Sequence, residues 1–198
     1  MTVQMATTSA ARWAALSGGD ALASLPPAAR TFLVVAIGSP DEEALWGVVE
    51  RVGGGSPGSP GSSKSRTVEV LDVEDSETSE GRFILADALR RARVGWHFVL
   101  VGNAVGVATA RAALLVAGVL DAEISIVVTA ATTGPTTGSF TSAVPRRIFC
   151  SHCHVIAVAT VGIGGELDCA GCGEHLVVYY HFSRRLGAYM AFSATAEE

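Results

Sequence analysis

The chain is predicted to combine an α/β unit, built on a small parallel sheet, with a C-terminal β unit that binds a metal. Two observations predict this fold class. Apolar segments of strand length alternate with helical segments between residues 31 and 130, a pattern typical of a parallel sheet wrapped by helices. All four cysteines lie between residues 146 and 198, in two C-x2-C pairs. With 198 residues and 49% hydrophobic content, the chain can fill two cores.

The α/β unit is predicted to begin with a strand at residues 31–37, after a partly ordered leader at 1–30 that is rich in Ala, Ser and Thr. Ser39 is expected to cap the helix that follows, with Pro40 at its first position. The apolar stripe of this helix consists of Leu45, Val48, Val49 and Val52.

The remaining segments follow from the same alternation of patterns. Residues 53–65 (GGGSPGSPGSSKS) are predicted to be a disordered insertion, and residues 131–145 a linker. Between them we predict a strand at 67–73, an acidic loop at 74–80, a helix at 83–92, a strand at 96–101, a helix at about 105–117 and a strand at 124–129.

Two strand-to-helix turns are weak candidates for nucleotide binding, because helix N-termini at the carboxyl edge of a parallel sheet commonly hold phosphates. Their candidate residues are Gly38 in the first turn and Gly102, Asn103 and Gly106 in the second. Neither turn is G-x-G-x-x-G, so the alternative that these glycines are purely structural is favoured. His97 is expected to be a hydrogen-bonded core residue.

Residues 96–126 (WHFVLVGNAVGVATARAALLVAGVLDAEISI) resemble the nucleotide-binding lobe of ferredoxin reductases. In that family the strand ends in a Cys-Gly-Pro turn, whereas here the turn is Val101-Gly102-Asn103, and no flavin-binding barrel precedes it. The resemblance therefore implies a degenerate lobe that serves as a scaffold or docking surface.

The cysteines follow the spacing C-x2-C-x15-C-x2-C, which predicts one tetrahedral S4 site in a zinc-ribbon or rubredoxin-like β domain. The predicted ligands are Cys150, Cys153, Cys169 and Cys172. Zinc would be structural, whereas a mononuclear iron could transfer single electrons; spacing alone does not separate them, and zinc is favoured. Gly173 is expected to have a positive φ.

The segment after the second cysteine pair reads HLVVYYHFSRRLGAYMAF (175–192). Its first part is predicted to be a strand that closes the ribbon. The remainder is rich in residue types that are enriched at protein interfaces. The predicted partner-docking residues are His181, Ser183, Arg184, Arg185 and Tyr189. The alternative is that this tail folds back on the α/β unit.

Charge and hydropathy exclude several classes of protein. The net charge of −5 and a pI near 5.5 argue against binding nucleic acid through bulk positive charge. The N-terminus lacks the pattern of a secretory signal, and the longest apolar stretch (112–128) is interrupted by Asp121 and Glu123, so no membrane interaction is expected. Cysteines at metal spacing fit a reducing cytoplasm.

Residues 146–192 resemble the C-terminal domain of the DmmA-type subunit of bacterial dimethylamine monooxygenase, chiefly in the cysteine spacing and the Ser-Arg-Arg-Leu-Gly-Ala-Tyr run. The resemblance implies an accessory subunit of a multi-subunit enzyme that uses NADPH and O2 to convert dimethylamine into methylamine and formaldehyde. It implies two partners, a heme-bearing catalytic subunit and a reductase subunit that carries flavin and an iron–sulfur cluster. The resemblance also implies that the four cysteines are the metal ligands of this chain.

Two other functions stay open from the residues alone. A rubredoxin-like iron site would make the chain an electron-transfer subunit. A zinc-ribbon nucleic-acid-binding module is the third possibility, which the acidic composition disfavours.

Overall fold

The computed structural model describes residues 22, 25–26, 28–54, 66–129 and 142–195. The described residues form two compact units, one up to Thr129 and the other from Ser142. Most of the predicted leader, insertion and linker lies outside the described residues. The exceptions include residues 144 and 145 of the predicted linker, which already belong to the first strand of the second unit.

The first unit is a four-stranded sheet with helices in its connections. Its strands are all parallel, in the order β2-β1-β3-β4, which confirms the predicted α/β class. The direction of winding reverses between β1 and β3, the two strands with the most buried residues. Its elements are β1 (Thr31–Ile37), α1 (Glu42–Gly53), β2 (Thr67–Val73), α2 (Ser79–Arg91), β3 (Trp96–Gly102), α3 (Ala104–Val116), a 3-10 turn (Asp121–Glu123) and β4 (Ile124–Val128).

The helices begin at capping side chains; the cap of α1 and the start of α2 differ from prediction. Asp41 caps α1, where its Oδ2 accepts the Ala44 N–H at 2.9 Å. The prediction that Ser39 is the cap is wrong, because Ser39 has a φ of 51° and is still part of the turn. Thr78 caps α2, so this helix starts inside the segment predicted to be an acidic loop.

Buried side chains of β1 and β3 form the centre of the first core, with α1 packed against them. His97 of β3 is also buried, and its Nε2 lies 2.9 Å from Ser125 Oγ on β4. The ring of Phe32 meets the His97 ring edge-on at 5.7 Å. His97 is therefore a hydrogen-bonded core residue.

The second unit is a five-stranded mixed sheet in the order β6-β5-β9-β8-β7. β5 and β9 pair in parallel, and the other neighbours are antiparallel. β9 is the central strand, so the tail continues the sheet beyond the single closing strand that the sequence predicts. The strands are β5 (Val144–Cys150), β6 (Ile156–Val161), β7 (Glu166–Asp168), β8 (His175–Ser183) and β9 (Ala188–Ser193).

Across the described ranges, no helix is long and apolar enough to cross a membrane.

Candidate metal centre

Two tight turns, here called knuckles, carry the four cysteines, and their backbones fold in the same way. In the first knuckle, the N–H of Cys150 donates to the carbonyl of Val155 at 3.0 Å, and the N–H of His154 donates to the carbonyl of Cys150 at 2.9 Å. In the second, Cys169 donates to Glu174 at 2.8 Å and Gly173 donates to Cys169 at 2.9 Å. Each knuckle is thus closed by the same two hydrogen bonds.

The residue after the second cysteine of each pair adopts a left-handed conformation. Gly173 has a φ of 75°, as the sequence predicts, and His154 has a φ of 63° at the corresponding position of the first knuckle. The His154 ring stacks on Phe149 with 5.6 Å between centroids and an interplanar angle of 10°. The sequence analysis missed this role of His154, although its position four residues after Cys150, like Gly173 after Cys169, was a usable signal.

The four sulfur atoms form one compact cluster. All lie within 4.8 Å of one another, with 3.9 Å between Cys150 Sγ and Cys172 Sγ and 3.6 Å between Cys153 Sγ and Cys169 Sγ. These distances are far too long for disulfide bonds. A tetrahedral ion with metal–sulfur bonds of about 2.3 Å separates its ligand sulfurs by about 3.8 Å. The cluster therefore fits one tetrahedral metal ion.

The thiols of this cluster differ in their pKa values. Backbone N–H groups of Cys172 and Gly171 lower the pKa of Cys169 to about 6. Burial raises the pKa of Cys150. At Cys172, the N–H of Glu174 favours the thiolate, but lost solvation and the three neighbouring cysteines outweigh it and raise the pKa to about 12. A bound cation would favour the thiolate form of the cluster, because it offsets the repulsion between neighbouring thiolates.

Gly171 lets the two knuckles approach each other. A Cβ atom at this position would lie 2.9 Å from Val155 Cγ2 and 3.2 Å from Cys153 Sγ, both on the opposite knuckle. The Gly171 N–H points at Cys169 Sγ at 3.3 Å. A larger residue would therefore press directly on a ligand sulfur.

The weak candidates for nucleotide binding do meet, at the carboxyl edge of the parallel sheet. A Cβ on Gly38 would lie 2.8 Å from Asn103 Nδ2, one on Gly102 would lie 2.3 Å from the Ile37 carbonyl oxygen, and one on Gly106 would lie 2.6 Å from Ile37 Cγ2. Asn103 Oδ1 accepts the Gly106 N–H at 2.9 Å and so caps α3. Close packing therefore explains why each of these three positions is glycine, and a bound nucleotide is not needed to explain it.

A cleft of about 400 Å³ lies beside these residues, and its charged side chains are acidic. They are Glu74, Asp75 and Glu77. Ser76, between them, is buried and donates from its hydroxyl to the Gly106 carbonyl at 3.0 Å. Carboxylates repel the phosphates of a dinucleotide, so these contacts favour the structural role of the glycines.

The predicted docking residues occupy one hairpin but have different surroundings. Tyr189 is buried on β9, with 7% of its surface exposed, and its ring packs edge-on against Phe182 at 5.0 Å. Ser183 is partly buried, and its Oγ accepts the Leu186 N–H at 3.3 Å. The three basic side chains are exposed; they are His181, Arg184 and Arg185.

Comparison with known proteins gives a match to this second unit. Residues 147–192 match the family model "Dimethylamine monooxygenase subunit DmmA-like, C-terminal domain". Over 120 residues the chain is 35% identical to a protein named heme-dependent oxidative N-demethylase delta subunit, from Ectopseudomonas mendocina (strain ymp). The match spans 59% of this chain and 59% of that relative. No solved structure matches the chain.

The matched domain contains all four clustered cysteines and the Ser183–Tyr189 run. The resemblance to DmmA-type subunits that the sequence predicts is confirmed, through the match of residues 147–192 to the DmmA-like C-terminal domain and the 35% identity to an N-demethylase delta subunit.

Proposed function

We propose that this chain is an accessory subunit of a multi-subunit, heme-dependent oxidative N-demethylase. The observation that carries the proposal is the match of residues 147–192 to the DmmA-like domain, within which the structure brings four cysteine sulfurs into one cluster. The similarity to an N-demethylase delta subunit supports it. In this role the chain contributes to assembly of the complex, and the chemistry takes place on other subunits.

The ion in the S4 site is zinc, and its role is structural. Four thiolates fill a tetrahedral shell and leave no position open for a substrate. The unit around it has 54 described residues, a size at which a metal commonly contributes to the stability of the fold.

The reaction of the complex is the demethylation of dimethylamine to methylamine and formaldehyde with NADPH and O2, in the cytoplasm. The partners of this chain are a heme-bearing catalytic subunit and a reductase subunit that carries flavin and an iron–sulfur cluster. The acidic cleft of the α/β unit supports assigning the NADPH site to the reductase.

Omission of this chain from the reconstituted complex tests the proposal. The companion subunits are expressed with and without it, and formaldehyde release, NADPH consumption and the mass of the complex are measured. We expect a smaller complex and lower activity when the chain is omitted. Activity and mass that are the same in both preparations would contradict the proposal.

A mononuclear iron is the second candidate for the site. Backbone N–H groups that point at Cys150, Cys169 and Cys172 are compatible with it, because such hydrogen bonds tune iron–thiolate potentials. Metal analysis with a visible spectrum of freshly purified protein separates the two ions. One equivalent of zinc without colour makes the site structural, whereas one equivalent of iron with thiolate charge-transfer bands assigns electron transfer to this chain.

A further inference from the structure

Among the described residues, the charged side chains at one end of the second unit are all basic. From His175 to Ser193 the chain contains no Asp or Glu, although the whole chain has a net charge of −5. The exposed residues of this region that lie farthest from the knuckles are Tyr180, His181, Arg184 and Arg185, and we call them the cationic end.

The β8–β9 turn holds the two arginines in a defined conformation. Ser183 pairs with Ala188 across the strands and leaves a four-residue loop between them. Gly187 has a φ of 61°, and its N–H donates to the Ser183 carbonyl at 2.8 Å. The Leu186 N–H donates to Ser183 Oγ. The loop is therefore closed by Ser183 and Gly187, while Arg184 and Arg185 extend from it.

A bulge in β8 brings two further side chains to the same end. The register shifts between Val178 and Phe182, so that residues 179–181 lie opposite a single residue of β9. Three successive residues, Tyr179, Tyr180 and His181, are exposed as a result, where regular alternation would bury one of them. Exposed aromatic side chains beside arginine are the composition of protein-binding hot spots.

Buried contacts support this surface from below. The rings of Phe182 and Tyr189 pack edge-on, and the guanidinium of Arg146 lies 5.7 Å from the Tyr189 ring centroid. Arg146 also donates to the Val161 carbonyl at 2.7 Å, which ties β5 to β6. The cationic end thus rests on an ordered part of the sheet.

The opposite end of the sheet has the opposite charge. Glu166, Asp168 and Glu174 lie beside the second knuckle. His175 offsets part of this charge, since its ring nitrogens lie 3.2 Å from Glu166 Oε2 and 2.8 Å from Asp168 Oδ1. Four thiolates around a divalent ion add two negative charges. At about 3.4 Å per residue along β9, the loop and the knuckles are roughly 15 Å apart. The unit is therefore electrically polarised, and a charged partner surface would orient it.

We propose that the cationic end binds an acidic surface of a companion protein subunit, with Arg184 and Arg185 contacting its carboxylates. The proposal rests on the proposed function, since it assigns the docking face of the accessory subunit. Ser183, Gly187 and Tyr189 position this face, and the metal centre at the far end of the sheet does not contact the partner.

Charge reversal of the two arginines tests this assignment. The double variant R184E/R185E is compared with R82E/R90E, a control with the same change of net charge on two exposed arginines of the α/β unit. Immobilised heme-bearing companion subunit is the probe, and association rates are measured at a series of salt concentrations. Metal content and thermal unfolding of each variant show whether the fold is intact.

We expect R184E/R185E to associate at least about 10-fold more slowly than wild type in low salt, while the control stays within about twofold. The difference should vanish near 1 M salt, where screening extends over only about 3 Å. Equal rates for both double variants would overturn the docking assignment alone, and no binding by wild type would overturn the proposed function with it. Stronger binding to duplex DNA, or self-association that R184E/R185E abolishes, would also overturn it.

Discussion

At the scale of single residues, the metal centre depends on positions that are not ligands. Gly171 and His154 determine how closely the knuckles approach and how the first one closes. Gly171 lies between Cys169 and Cys172, and His154 follows Cys153. The C-x2-C pattern specifies neither residue type, yet each constrains the sulfur atoms through packing or backbone conformation.

Replacement of Gly171 by alanine tests this constraint. The added Cβ would lie 3.2 Å from Cys153 Sγ, so we expect the zinc affinity to fall about 10-fold or more, as is common for changes next to metal ligands. The measurement is competition for zinc with a chromophoric chelator. Gly47→Ala is the matched control, because a Cβ there meets nothing within 4 Å. Equal affinities for the two variants would show that the knuckles adjust freely.

His97 makes the stability of the α/β unit depend on pH. Burial lowers the pKa of its imidazole below 6.5, so the unfolded chain takes up a proton more readily than the folded one. The contribution of neutral His97 to the stability of the folded state should therefore be fully present above about pH 6.5 and be lost as the pH drops below it. Urea unfolding at pH 7.5 and 5.5 should show a larger loss for wild type than for His97→Gln. The same loss in both proteins would assign the effect to other groups.

At the scale of elements, the β8–β9 hairpin combines a bulge with a tight turn. The bulge exposes Tyr180 and His181, and the turn requires a left-handed residue at Gly187. β9 is buried between β5 and β8, so a disturbance of the turn reaches the centre of the sheet.

Gly187→Ala should therefore destabilise the second unit by about 1–2 kcal/mol, the cost of a left-handed conformation for a residue with a Cβ. Urea unfolding followed by the tyrosine signal measures the change, since all three tyrosines lie in the second unit. Gly47→Ala serves again as the control, because it has no positive φ and no close neighbour. A shift below about 0.3 kcal/mol would mean that the turn tolerates other conformations.

At the scale of the whole molecule, only one of the two units contains cysteine. Cys150 is the last residue of β5, and Cys153 lies in the knuckle that follows it. Cys169 and Cys172 lie in the knuckle before β8, and no cysteine belongs to the α/β unit. Metal binding and folding are coupled in small metal domains, so the two units should respond differently to loss of the ion.

Removal of the metal with a strong chelator should unfold the second unit and leave the first folded. Hydrogen exchange read by unit is the measurement. We expect amides of β5, β8 and β9 to lose protection while those of β1 and β3 keep it. Protected β9 amides in metal-free protein would contradict this expectation, and simultaneous loss in both units would show that they unfold as one.

Some features could be predicted from local patterns. Among the strands of the α/β unit, β1 and β2 begin and end as predicted. β1 is an uninterrupted apolar segment, as a buried parallel strand requires. β2 lies at the edge of the sheet, is mostly exposed or half-buried and tolerates Glu69 and Asp72 between its apolar residues. Capping residues were less predictable, since Ser39, Asp41 and Thr78 all suit a helix start and only backbone conformation selects among them.

By itself, the sequence determined the α/β class, the four cysteines as one set and the resemblance to DmmA-type subunits, because each is a pattern of neighbouring residues. The tertiary structure decided which residues meet across the chain. It made β9 the central strand, buried Tyr189, packed Ile37 against the glycines of the next turn and collected the basic side chains of the hairpin at one end of a sheet. These arrangements depend on the pairing of strands that are distant in sequence, and no local pattern encodes that pairing.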